Sequence, residues 1–118
     1  MSEILGLMNT HQHYHAHIYF DQATRESARA LCEEVGRRFA LKVGRFHEKL
    51  VGPHLKWSCQ IIFQRQDFAE FTTWLELNRA GLSILVHPLT QDELADHTEH
   101  AQWLGEPVPL KLALFSRG

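Results

Sequence analysis

Four histidines occupy alternate positions, His11, His13, His15 and His17, and lead straight into Ile18-Tyr19-Phe20. On an extended strand successive side chains point to opposite faces, so the four imidazoles share one side and Tyr14, Ala16, Ile18 and Phe20 share the other. One face suits a core. The other offers neutral nitrogen donors at pH 7, the ordinary material of a transition-metal site. His15 and His17 stand roughly 6–7 Å apart at their Cβ atoms, close enough for both rings to reach one ion. Two further histidines sit in turn-like settings, Gly52-Pro53-His54 and His87-Pro88. Pro88 confines the residue before it to extended geometry and so fixes the direction of His87. The plain alternative is a solvated polar sheet face, which His11 and His13, nearest the terminus, fit best.

Positioning such a face requires a sheet with one side covered. A strand is expected over about Gln12 to Phe20, and Asp21 and Thr24 supply helix-start chemistry after it. Ala28, Leu31, Cys32, Val35 and Phe39 then recur at helical spacing, with Arg29, Glu33, Glu34, Arg37 and Arg38 opposite them. Lys42 to Glu48 reads as a second strand, and Lys49 to Lys56 as a loop punctuated by Gly52 and Pro53. In a third strand, Trp57 to Gln64, Trp57, Cys59, Ile61 and Phe63 face one way, and Ser58, Gln60, Ile62 and Gln64 the other. Asp67 with Glu70 resembles a capping box for a helix running to about Asn78, which Gly81 ends. Leu82 to His87 is a fourth strand. Thr90 with Glu93 is a second capping pattern, opening a helix expected to reach about Leu104. Gly105-Glu106-Pro107 stops it, and Val108 to Phe115 is a short final strand or extended tail.

That order predicts an α+β, ferredoxin-like βαββαβ sandwich with an antiparallel sheet, a C-terminal helix and an extended tail, all within one domain over 1–118. The first strand should lie between the third and fourth. Both long helices should cover one sheet face. The opposite face then gathers His13, His15, His17, Ser58, Gln60, Leu85 and His87 from three adjacent strands. The loop carrying His54 would have to fold over the sheet for His54 and His87 to share an ion.

Composition narrows the function classes. The chain has 118 residues, is 44% hydrophobic and carries a formal net charge of -2, so it can build a core and presents no basic footprint for nucleic acid. Nine histidines are its one compositional anomaly. No apolar run approaches the roughly 20 residues that span a bilayer. Met1 to Thr10 is short and weakly cationic for a signal peptide. Cys32 and Cys59 lack metal-type spacing and read as buried thiols of a reducing compartment, which makes a cytoplasmic location the expectation. No Gly-rich phosphate loop, Cys-x-x-Cys or Ser/His/Asp context is present.

Several segments together resemble the DOPA 4,5-dioxygenase family. They are His15-Ala16-His17-Ile18-Tyr19-Phe20, Val51-Gly52-Pro53-His54, the long block from Asn78-Arg79-Ala80-Gly81-Leu82-Ser83 to His87-Pro88, Asp96-His97-Thr98, and Ala101-Gln102-Trp103-Leu104-Gly105-Glu106-Pro107-Val108-Pro109-Leu110. The resemblance runs from about His13 to Leu112, and the Asn78 to Pro88 block is its most specific part. Leu55 stands where the family usually has a proline after Gly-Pro-His, and Gln91 follows Thr90 where a glycine is frequent. Both departures fall in loops and bear on substrate identity.

The resemblance implies extradiol cleavage of a catechol by O2 at non-haem Fe(II), with zinc or another divalent metal able to occupy the site in a purified sample. His15, His17, His54 and His87 are the candidate metal ligands, and His97 the candidate acid–base group. Arg79, Arg45 and His47 are candidates to meet a substrate carboxylate. A two-His, one-carboxylate set would draw on Glu48 or Asp96; an all-histidine set is equally open. Arg79 could instead be a helix C-terminal cation, and His97, on a stripe with Leu94, Ala101 and Leu104, a core-edge histidine. Two other classes stay in play. One is a ferredoxin-like module that binds a metal or small ligand without turnover. The other is an interaction domain whose open sheet face buries itself in a dimer. A homodimer is expected under the enzyme reading too, with no nucleic acid and no membrane as partner.

Overall fold

In a computed structural model, residues 7–115 are described. The first six residues of the segment weighed above as a signal peptide lie outside them. Strand β1 spans His13–Phe20, helix α1 Arg25–Phe39, β2 Lys42–His47 and β3 Trp57–Gln64. Helix α2 spans Phe68–Asn78, β4 Ile84–Pro88, a short helix α3 Glu93–Asp96 and β5 Gln102–Leu104. The sheet order is β2-β3-β1-β4-β5, and every pairing is antiparallel. The first four strands and two long helices thus take the ferredoxin-like arrangement, with β1 between β3 and β4. No helix among the described residues is long and apolar enough to cross a membrane.

The alternation in β1 builds the core. Tyr14, Ala16, Ile18 and Phe20 are buried together with Ala28, Leu31, Cys32 and Val35 of α1, Phe68, Phe71 and Leu75 of α2, and Cys59, Ile61 and Phe63 of β3. Each large apolar side chain so removed from water contributes about 1.5–3 kcal/mol. Asp21 and Thr24 close the β1–α1 turn reciprocally: each backbone N–H donates to the other's side-chain oxygen. Both cysteines are buried free thiols.

Three local expectations are corrected. The turn before α2 is capped by Gln64 and Asp67 around a 3-10 turn over Arg65–Asp67, not by Asp67 with Glu70. The late helix covers only Glu93–Asp96 and is capped by Asp92, whose side chain accepts from the Ala95 N–H. Thr90 lies one turn too early for that cap: its hydroxyl accepts from the Asp92 N–H and donates to Asp96. Downstream, Gln102–Leu104 is a strand that adds to the edge of β4 and not the end of a helix. The tail also differs from a final strand. Leu110 makes one antiparallel bridge with His54, and Leu112–Phe115 is a 3-10 turn.

These differences cover the sheet face expected to be open. Tyr19, Leu85 and Val108 form a second apolar cluster on that side, with Trp103 and Leu110 packed against it. The Lys111 N–H donates to the Pro53 carbonyl, and the Leu110 bridge holds the next residue, so the C-terminal segment pins the 51–54 loop over the sheet. The face therefore offers a sheltered cavity in place of a bare sheet.

Candidate metal centre

Register decides which histidines meet. His15 of β1 lies directly opposite His87 of β4, and His17 lies opposite Gln60 of β3 and Leu85 of β4. All five positions that the strands supply to this face near this point, His15, His17, Gln60, Leu85 and His87, come from the alternation read in the sequence. The ring of His87 stacks on that of His17 with centroids 5.0 Å apart, and lies 5.4 Å from that of His15. Nitrogen atoms of His15, His17 and His87 all fall within 4.8 Å of one another. His17 and His87 are buried, and His15 is partly so.

The donor atoms fit a cation. His87 Nδ1 lies 2.8 Å from the Pro88 carbonyl, which can only accept, so that nitrogen carries the proton and Nε2 keeps its lone pair. A carbonyl holding the far nitrogen of a ligating imidazole is the usual support for such a ligand. His17 Nε2 is 3.0 Å from His87 Nε2. Two nitrogens bound at right angles to one ion at about 2.1 Å stand about 3.0 Å apart, so a cation needs no rearrangement of this pair. Burial, then mutual repulsion among the imidazoles, holds His17 well below its ordinary value and pulls His87 down to about 3. Burial and His97 lower His15 as well. Neutral imidazole is the form a metal takes.

Around the triad lies a cavity of about 490 Å³, lined by His54, Gln60, Glu93, Asp96, His97 and Phe115 among others. His54 is carried over the sheet by its turn. Its ring centroid is 4.2 Å from that of His17, and its Nδ1 is 2.6 Å from the Tyr19 hydroxyl. Burial first, then the charges of neighbouring histidines including His97 and His47, lowers His54 to about 4. His97 stands between His87, centroids 4.2 Å apart, and Phe115, centroids 4.5 Å apart and nearly parallel. Its Nδ1 lies 2.8 Å from the Glu93 carbonyl, so the proton sits there and Nε2 is left as an acceptor.

Among the described residues, the group able to hold a metal is all histidine. Asp96 is buried in the cavity wall, but its carboxylate accepts from both the N–H and the hydroxyl of Thr90. Glu48 is engaged by Arg25. Neither joins the triad. His54 and His97 share the cavity without belonging to the triad. Arg45 is exposed on β2 beside an irregularity in its pairing with β3, and His47 ends that strand opposite Ser58. Arg79 donates to the Leu82 carbonyl, and its guanidinium lies where a side chain at Gly105 would be. Arg45, His47 and Arg79 are not in the cavity wall. His11 and His13 also lie outside it, His11 against Tyr14 and His100. Sequence reasoning left Tyr19 and Phe115 out of the site. Tyr19 was findable, since the alternation that aligns His15 with His17 also aligns Tyr19. Phe115 carries no local signal, because only the folding-back of the tail brings it there.

The family model described as "Dopa 4,5-dioxygenase family" matches residues 14–114. The chain belongs to that family. It is 40% identical, over 88% of its own length, to an uncharacterised 21.2 kDa protein of Botryotinia fuckeliana, and 38% identical, over 85%, to the DOPA 4,5-dioxygenase of Amanita muscaria. It spans only 63% and 48% of the lengths of those two relatives. A crystal structure of a candidate dioxygenase from Nostoc punctiforme superposes with a TM-score of 0.85 at 42% identity, covering 87% of this chain and 90% of that one. All the motifs that suggested the family fall within or beside the matched span, and His15, His17, His54, His87 and His97 all lie inside it.

Proposed function

We propose that the protein is a non-haem Fe(II)-dependent extradiol dioxygenase that opens a catechol ring with O2, with His15, His17 and His87 as the metal ligands. One observation carries the reading: three ligand-ready imidazoles converge at the floor of a cavity of about 490 Å³ in a chain of this family. Such a volume suits a small aromatic ligand. Ferrous iron, when bound, would bring catechol and O2 together and pass electrons between them.

The chain's own residues would do the remaining work. His97, its Nδ1 proton held by the Glu93 carbonyl, turns Nε2 to the cavity as an acceptor for a catechol O–H. Phe115 and the 51–54 loop wall the cavity and limit water around the reacting ring. Asp96, held by Thr90, keeps α3 and hence His97 in place. The cavity wall supplies no arginine or lysine among the described residues, so a substrate carboxylate would have to point outwards, towards solvent. The expected homodimer would cover the exposed leucines Leu55, Leu89, Leu112 and Leu114, which flank the segments that close the cavity.

The test is an anaerobic Fe(II) titration of metal-free protein, followed by a catechol panel and then air, with spectra recorded throughout. One iron per chain and an oxygen-dependent ring-cleavage chromophore are expected. Iron binding with no product from any catechol would leave the non-catalytic metal-binding module as the better account, and absence of binding would remove the metal site.

A further inference from the structure

His54 and Tyr19 form a buried pair that the triad does not use. Tyr19 is 1% and His54 5% exposed, and the hydroxyl lies 2.6 Å from Nδ1. Hydrogen accounting fixes the direction of this bond. Among the described residues the Tyr19 hydroxyl has no other partner. A buried O–H that does not donate costs more than a phenol oxygen with an unused lone pair. The hydroxyl therefore donates to His54 Nδ1, and a neutral imidazole with Nδ1 as acceptor carries its single proton on Nε2. That nitrogen makes no hydrogen bond to a described residue, and the ring lines the cavity.

We propose that Tyr19 is a positioning residue that fixes His54 with its proton on Nε2, so that His54 meets the ligand in the cavity as a hydrogen-bond donor and not as a metal ligand. The group it would meet is an anionic oxygen, such as the phenolate of a bound catechol; this step rests on the dioxygenase reading, whereas the tautomer does not. The two histidines above the triad are then complementary. His97 offers a lone pair, and His54 offers a proton. His54, expected from sequence to bind the metal, takes the other role because the β1 residue two places after His17 reaches its Nδ1.

Long-range 1H–15N correlation spectra of the metal-free protein read the tautomer directly, with Zn2+ then added as a redox-silent probe. The expected result is an Nε2–H signature for His54 that persists with Zn2+, while the resonances of His15, His17 and His87 move. An Nδ1–H signature, or direct perturbation of His54 by zinc, overturns the proposal. A second arm uses the zinc-loaded protein and 4-nitrocatechol, whose ionisation is visible. His54→Gln, with an amide N–H near the Nε2 position, should hold the phenolate nearly as tightly as the parent protein. His54→Leu and Tyr19→Phe should weaken it by about tenfold or more, with zinc affinity unchanged in all three. Equal loss in the Gln and Leu variants, or weaker zinc binding in either, would assign His54 a packing or ligand role instead. Neither arm needs turnover, so absence of ring cleavage would count against the dioxygenase reading alone.

Discussion

Buried neutral imidazoles make the metal-free protein acid-labile in a calculable way. The ordinary imidazole value is 6.5, and His87, 2% exposed, is lowered to about 3 by burial foremost. The unfolded chain therefore binds a proton at His87 that the folded chain refuses between pH 6.5 and about 3. Stability is fully present above 6.5 and falls as the pH drops through that window. At pH 5 the unfolded group is about 1.5 pH units below its midpoint, which costs the folded state about 2 kcal/mol. His54, lowered to about 4, adds a similar amount. Against a total stability of about 5–15 kcal/mol, these two residues should shift the urea midpoint visibly. The assay is urea unfolding of metal-free protein at pH 7.5 and pH 5, repeated with His87→Gln. The parent should lose at least about 2 kcal/mol on acidification, and the variant should lose about 2 kcal/mol less than the parent does. An unchanged or rising midpoint at pH 5, or an identical pH response in His87→Gln, would refute the argument that these imidazoles are buried in neutral form.

Three further outcomes follow from individual contacts. His87→Ala should lower divalent-metal affinity, measured by calorimetry, by more than the roughly 10–100-fold that loss of a ligand's hydrogen-bonding partner produces. Phe115→Ala removes the ring stacked on His97, and at about 0.5–1.5 kcal/mol for an aromatic pair it should weaken binding of a catechol by up to about tenfold while leaving metal affinity alone. Gly105→Ala should lower the melting temperature by several degrees, because Gly105 has φ +79° and an added Cβ would stand 2.5 Å from Arg79 Nη1 and 3.1 Å from the Leu82 carbonyl.

The face of each strand was legible because period-two alternation survives in single sequences. Placing Tyr14, Ala16, Ile18 and Phe20 inward and His15 and His17 outward needs no knowledge of the neighbours. Antiparallel pairing of β4 with β1 then brings His87 to His15. The roof of the site was less legible. Leu94, His97, Ala101 and Leu104 recur at helical spacing, yet the helix ends at Asp96. Its end is set by competition for carbonyls: the Leu94 carbonyl accepts from Thr98 Oγ1, and the Ala95 carbonyl from the N–H groups of Thr98 and His100. The three residues of β5 are too few to show a period, and their strand character comes from the free edge of β4. The 51–54 loop is likewise placed over the sheet by distant partners, the Tyr19 hydroxyl of β1 and one bridge and one hydrogen bond to a tail some 57 residues later.

Histidine counting alone therefore could not divide the five imidazoles of the cavity by role; their second nitrogens do. The Pro88 carbonyl accepts from Nδ1–H of His87, and the Glu93 carbonyl from that of His97, so both rings keep a lone pair on Nε2. Position then separates them, since His87 lies with His15 and His17 and His97 does not. His54 meets a phenol in place of a carbonyl, and the polarity of that contact is reversed. Two carbonyls come from the local backbone: Pro88 follows His87, and Glu93 lies one helical turn before His97. The phenol comes from the same strand face as the metal ligands. An alternating His15, His17, Tyr19 stripe thus supplies two candidate ligands and the group that keeps a third histidine from becoming one.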